Sequence, residues 1–409
     1  MNFDRGKLAL IAAVGIGPGI SLWFLLATFS PALIMLGVDF SAFYSAAHLV
    51  AAGLDPYHVA PGAIPKFVSP PVLAFALEPM AALPLPVAYG IFVAVSLGAA
   101  STAIVIFARS CGWKRGGVLA AAVFVSWIGF QGLCWGQLDA ILLAALLGSL
   151  LAARNGHPLL AGMLIGLAWL KPDLLWPAVL FLGLALWPNR RAVARYVLGV
   201  AAASVVLLGV GAQLLPAWLH ALIGFGGNLP NQPNLAGLSA WVDALPADWH
   251  LGSGLSSPLV WFIMLVAVAS LTWLGHAVVT SRRWTSLSQE RRLVWAPSLA
   301  LGIWLLVTPY AHPNDDLLLL PLLVLVLGPD ACQVGRGWTA AAILLLATLP
   351  VTDNLPLLPV ALTPVAVAVL LVAGLRVFRH VPDPWVAAAE PKGVVRNRPP
   401  LVVETPPIA

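Results

Sequence analysis

Charged side chains are what this chain has least of: Asp, Glu, Lys and Arg make up 9% of its 409 residues. Soluble domains carry about a quarter of their residues as charges, so that class is excluded. Cysteine is scarce too. Cys111, Cys134 and Cys332 are odd in number and scattered, which excludes a disulfide framework and offers no ligand spacing for a structural metal. No segment repeats at a fixed period, which removes solenoids. No Lys or Arg occurs between Pro216 and Ser256, as expected of a loop moved across a membrane. What is present is apolar: 60% of the residues are hydrophobic and the mean hydropathy is +0.94. This is the composition of an all-α polytopic membrane protein. The net charge of +5 would suit a nucleic-acid partner, but the basic residues cluster between apolar spans and carry topology instead. Membrane lipids are the expected surroundings, and no nucleic acid is expected.

Apolar stretches of the length needed to span fall at 8–37, 87–108, 117–133, 139–153, 197–215, 257–281, 293–309, 315–329, 338–351 and 355–375. The stretch 159–187 is too long for one span and is interrupted at Lys171-Pro172-Asp173, which predicts two short helices meeting at a break. The result is about twelve crossings with both termini cytoplasmic. Every Lys and Arg except Lys66 and Lys171 then falls on the inner side, as the positive-inside rule requires. Residues 1–380 form the membrane domain, with a first outer loop at 39–86 and a long outer loop at 216–256. Residues 381–409, rich in Pro and charge, are predicted to be a disordered tail.

Polar groups collect on the outer side. They are Asp39 with the aromatic and small-residue helix after it, Lys66 to Pro71, Trp135 to Asp139, Lys171 to Asp173, the loop from Asn228 to Trp241, and Thr308 to Asp316. The apolar stretch after Pro71 is short and bounded by proline at Pro79 and Pro84, so it is predicted to lie in the interface. Carboxylates, lysines, amides and aromatic rings suit a sugar, which presents both hydroxyls and apolar faces.

The order Asp39, Tyr44, Gly53-Leu54-Asp55-Pro56-Tyr57, Ser69-Pro70-Pro71, Gly136-Gln137, Gly162, Gly166, Lys171-Pro172, Thr308-Pro309 and His312 resembles glycosyltransferase family 87. The resemblance runs from the first outer loop to about Pro321. It implies a GT-C-like bundle of about twelve transmembrane helices, with interfacial helices in the first outer loop. It also implies an inverting hexosyltransferase, most similar to alpha-mannosyltransferases, that works at the outer face of an inner membrane of bacterial type. The implied donor is a polyprenyl-phosphate sugar and the implied acceptor a glycolipid or glycan, with no cofactor and no metal. Asp39 matches the position of the family's catalytic base. The chain departs from the family at Asp139, where Asn is more usual, and at Ser69, where Tyr is more usual, which leaves acceptor and sugar choice open.

Chemistry gives these residues roles beside the resemblance. Inverting transfer needs a base for the acceptor hydroxyl, and Asp39 stands where a helix should leave lipid. The competing reading is that it caps that helix. The lipid-phosphate leaving group needs cations at headgroup depth, for which Lys171, Lys66 and His312 are candidates; Lys171 has a rival role as a structural ion pair with Asp173 or Asp139. Tyr44, Tyr57, Gln137, Asp139, Asn231, Gln232 and Asn234 are candidates for acceptor or sugar binding, the last three against the alternative of a well-bonded loop. Asp315 and Asp316 raise the question of a cation, but neighbouring carboxylates on one helix diverge, so metal-independent activity is expected. A transporter or flippase of a lipid-linked sugar is the second reading of the chain, and a non-catalytic scaffold the third.

Overall fold

The computed structural model describes residues 37–57, 67–227, 238, 258–281, 284, 287–308, 312–327 and 359–380. Every regular element among the described residues is helical. Helix α1 (Val38–Ala51) stops before Gly53, which takes a left-handed conformation. The Asp55 carboxylate then accepts the Tyr57 amide at 2.8 Å, closing the turn that an Asp-Pro-Tyr sequence favours. Helix α2 (Pro71–Leu77) and a 3-10 turn (Glu78–Ala82) are too short to span and pack on α1.

Helix α3 (Leu85–Ser110) runs for 26 residues, enough to cross a bilayer. Helices α4 (Gly116–Val125) and α5 (Trp127–Trp135) occupy the predicted span 117–133 but meet at 61°. Ser126 makes the bend: its backbone leaves the helical region at ψ 154° and its hydroxyl caps α5 by accepting from the Gly129 amide. Helix α6 (Asp139–Arg154) follows. The stretch after it breaks as predicted, into α7 (Pro158–Ile165) with a 3-10 turn (Gly166–Leu170), then α8 (Pro172–Ala185). Lys171, at φ −147° and ψ 74°, sits outside the helical region because the following proline ring crowds it there.

Beyond come α9 (Arg190–Gly209), α10 (Leu215–Gly227), α11 (Pro258–Thr280) and α12 (Gln289–Val307). The predicted span 315–329 is instead a 3-10 turn (Pro313–Leu319) and a short α13 (Leu320–Val326). Pro313 and Pro321 each lack an amide and sit at N1 or N2 of their elements, so the segment starts twice rather than running through. Helix α14 (Pro359–His380) is the last described element.

Among the described residues, three helices, α3, α9 and α11, are long and apolar enough to cross a membrane, and a fourth if α4 and α5 count as one bent span. The described residues therefore do not reproduce about twelve crossings. The spans expected at 8–37, apart from Gly37, and at 338–351, and the tail 381–409, lie outside the described residues. The sides of the bundle differ sharply. Helix α12 is buried along almost its whole length, whereas α9 exposes Val197, Leu198, Val205 and Val206, as a lipid-facing helix does. One contact holds α9 very closely. A Cβ at Gly162 on α7 would lie 2.1 Å from the Tyr196 carbonyl oxygen, and one at Gly199 would lie 2.1 Å from that of Leu159, so the two backbones touch where any side chain would keep them apart.

Candidate active site

The Asp39 helix is fastened to the C-terminal end of α5. Gly37, which precedes α1, donates its amide to the Cys134 carbonyl at 2.6 Å. Tyr89 of α3 donates its hydroxyl to the carbonyls of Leu133 and Cys134 at 2.8 and 2.9 Å. Phe40, fully buried, stacks against Tyr44, Tyr89 and Phe92. Gly136 ends α5 in the left-handed region at φ 75°, and a Cβ there would come within 2.5 Å of Phe40 Cβ. A non-glycine residue would pay both in backbone strain and in a clash.

This clamp delivers Gln137 to Asp39. The Gln137 amide nitrogen donates to Asp39 Oδ2 at 2.6 Å, across 98 residues of sequence. Gln137 is itself held, its backbone amide donating to the Gly132 carbonyl at 2.8 Å. Asp39 lies in the first turn of α1, but the N-cap is Gly37 and no side chain caps the helix. The capping role is therefore not the one the carboxylate plays here. Burial raises the Asp39 carboxyl from its ordinary 3.8 to about 6, against the opposing pull of the Lys171 charge and the Gln137 hydrogen bond, with the Asp139 charge adding to the rise. Such a group holds its proton at acid pH and gives up a free carboxylate near neutrality, as a general base must.

A second cluster lies behind Gln137. Lys171 Nζ reaches Asp139 Oδ1 at 3.2 Å and also pairs with Asp315 Oδ1. Asn314 donates to the other Asp139 oxygen at 2.5 Å. The second Asp315 oxygen accepts the His312 backbone amide at 2.7 Å, and the Asp315 amide returns to the His312 carbonyl at 2.9 Å. The ion pairs thus tie the start of α6, the break before α8 and the 3-10 turn before α13 at one point. Helix α5 lies directly over it, since a Cβ at Gly132 would contact Asn314 Cβ at 3.5 Å and Asp139 Oδ2 at 3.7 Å. Trp304 of α12 fastens α8 from the other side, donating to the Asp173 carbonyl at 2.5 Å.

The structure therefore gathers Asp39, Gln137, Asp139, Lys171 and His312 into one region, although their sequence positions span most of the chain. It also shows how they are occupied. Lys171 takes the ion pair with Asp139 that competed with phosphate binding, and adds Asp315. Both Asp139 oxygens are used. The Tyr44 hydroxyl donates to the Leu83 carbonyl at 2.5 Å, and the Tyr57 hydroxyl to the Ser69 carbonyl at 2.7 Å, which ties α1 and its turn to the rest of the first outer loop. Lys66, Asn231, Gln232 and Asn234 lie outside the described residues. Asp316 is buried, and neither carboxylate oxygen has a hydrogen-bond partner among the described residues. Sequence reasoning assigned nothing to Asn314, Tyr89 or Phe40. No periodicity marks residues that act at the end of a turn 175 or 45 positions from their partners.

Comparison with known proteins decides the class. The model of Glycosyltransferase family 87 matches residues 67–309. The chain belongs to this family. The match covers Gln137, Asp139 and Lys171, while Asp39 precedes it and His312 and Asp315 follow it. No curated protein and no solved structure matches the chain. Family membership makes the protein a glycosyltransferase with a sugar donor and an acceptor, and its apolar helices place it in a membrane.

Proposed function

We propose that this glycosyltransferase moves a hexose, mannose by preference, from a polyprenyl-phosphate donor to a lipid-linked or polysaccharide acceptor, with inversion, at the outer face of the inner membrane. The observation that carries the proposal is the state of Asp39. One oxygen is held by Gln137, Oδ1 accepts no hydrogen bond among the described residues, and the group is tuned to ionise at about 6. A carboxylate with one anchored and one open oxygen is fit to take a proton from an acceptor hydroxyl while that hydroxyl attacks the anomeric carbon. The phosphate leaves with the electron pair of the broken glycosidic bond, and its negative charge needs offsetting.

Lys66 and His312 remain our candidates for direct phosphate contact, together with the N-terminal amides of α8. Lys171 contributes as a fixed positive field, since a phosphate that bound it directly would have to displace Asp139 or Asp315. Asn231, Gln232 and Asn234 are proposed for the acceptor side. Radiolabelled polyprenyl-phosphate hexoses, incubated with membranes holding equal amounts of wild type or Asp39→Asn, test the proposal. Transfer by the wild type and a loss of at least about a hundredfold in the variant is expected. Equal transfer by both proteins places the base elsewhere.

A further inference from the structure

Gln137 has one partner that its backbone cannot choose. Its side chain spends a donor on Asp39 Oδ2 at 2.6 Å, and its position is fixed by the Gly136 turn, by the Gln137 amide bond to Gly132 and by the Tyr89 bonds to the last carbonyls of α5. A residue recruited only to grip a sugar would be expected to leave both amide N–H donors free toward the substrate; here one of the two is committed to the carboxylate before any substrate arrives. We infer that Gln137 is a positioning residue for Asp39: it selects the rotamer of the carboxylate, occupies Oδ2 and leaves Oδ1 as the sole oxygen offered to the acceptor hydroxyl. The inference rests on the reading of Asp39 as the base, and it replaces acceptor binding as the role of Gln137.

The surroundings of Asp39 define what a pH experiment reads. The charges acting on it are Lys171, which favours the ionised form, and Asp139, which opposes it. The elements packed against α1 add Glu78 from the 3-10 turn, Tyr89 from α3 and Cys134 from α5, and α1 itself carries Tyr44 and His48. The hydroxyls of Tyr44 and Tyr89 are already committed to backbone carbonyls. Removing the Gln137 donor removes a hydrogen bond to the charged form of Asp39 and leaves the other groups in place, so the carboxyl must ionise at higher pH.

The experiment uses the full chain in detergent or lipid nanodiscs, with Gln137→Met as a near-isostere without a donor. Gln137→Glu serves as a second variant, whose charge should push the ionisation further the same way and which keeps a polar group if the Met variant fails to fold. Expected are an acid limb of kcat moved up by about one pH unit, a fall in kcat of roughly tenfold below that limb, and KM for the acceptor changed by less than about twofold. An unmoved acid limb with a raised KM would overturn the inference and return Gln137 to acceptor binding. An infrared pH titration gives a readout without any sugar. The protonated carboxyl band that disappears in Asp39→Asn is followed in the Gln137 variants. A midpoint shifted upward supports the positioning role even if no donor is turned over, in which case only the proposed reaction fails. An unshifted midpoint refutes it even if transfer is observed.

Discussion

Asp39, which Gln137 hydrogen-bonds, and Asp139, two residues after Gln137 in the chain, are treated by the protein in opposite ways. Asp139 is 1% exposed, with one oxygen on Lys171 and the other on Asn314. Asp39 is partly exposed and has one amide for a hydrogen-bond partner among the described residues. The first is a satisfied buried charge, whose removal would orphan a lysine. The second is kept incomplete, which costs stability and leaves one oxygen without a donor among the described residues. Two carboxylates of the same chemical type thus differ in how many donors surround them: one is a strut, the other, on the function proposed above, a tool.

Breaking the strut should have the largest effect. Lys171→Met leaves Asp139 and Asp315 facing each other without their shared cation, and loss of one partner of a buried pair costs about 3–5 kcal/mol. The expected outcome is a melting temperature lowered by many degrees, or loss of folded protein, read by scanning fluorimetry in detergent. Adding Asp139→Asn should recover part of the loss, because one uncompensated charge is removed. If Lys171→Met melts like the wild type while transfer vanishes, the lysine is a ligand and the contrast between the two carboxylates collapses.

Loosening the joint between the two should come next. Gly136→Ala forces a side chain into the left-handed turn and against Phe40, for a cost of about 1–3 kcal/mol. The α1–α5 clamp would then shift, with transfer falling along with the melting temperature; Gly53→Ala, whose Cβ meets nothing within 4 Å, should pay the turn strain alone and leave transfer closer to wild type.

The smallest effect tests the cost of the tool itself. The folded value of Asp39 lies above its ordinary one, so the folded chain holds this proton more tightly than the unfolded chain. That contribution to stability is complete below the ordinary value of 3.8 and is lost as pH rises through about 6. Asp39→Asn keeps the Gln137 bond without the charge, so its melting temperature should gain on the wild type between those two values and stay ahead by a constant margin above them. The margin is at most about 3 kcal/mol and is reduced by the solvent that reaches the carboxyl. Equal pH profiles of melting for the two proteins would show that the base is not held under strain.

The break at Lys171-Pro172 was legible in the sequence because the residue before a proline is disfavoured in the helical region and a lysine interrupts the apolar stretch at the same point. The turn at Asp55-Pro56-Tyr57 was legible for a similar local reason. The bend at Ser126 was not, since a serine inside an apolar run that bonds back to its own helix, as Ser126 does to the Val123 carbonyl at 2.5 Å, usually bends that helix only slightly. The division of 315–329 was hidden by its continuous leucines, although Pro313 and Pro321 mark both starts once the register is known. Asp39 could be singled out as a carboxylate at a membrane border, and Lys171 as a cation out of place. Asp139 could be named as a rival partner for Lys171, but the pairings of Asp39 with Gln137 and of Lys171 with Asp315 could not, because Asp315 is 144 residues from Lys171 and hydropathy carries no information about which polar groups meet across a bundle.

The Gly162–Gly199 contact sets a limit on how this chain can vary. Most of α9 looks outward, where one aliphatic residue is nearly as good as another, and drift there should be almost free. At positions 162 and 199 the smallest side chain, a methyl group, would already lie about 2.1 Å from a carbonyl oxygen of the opposite backbone. Mutational tolerance along α9 is therefore not graded but punctuated: a permissive surface, pinned at a point where the genetic code has a single acceptable answer.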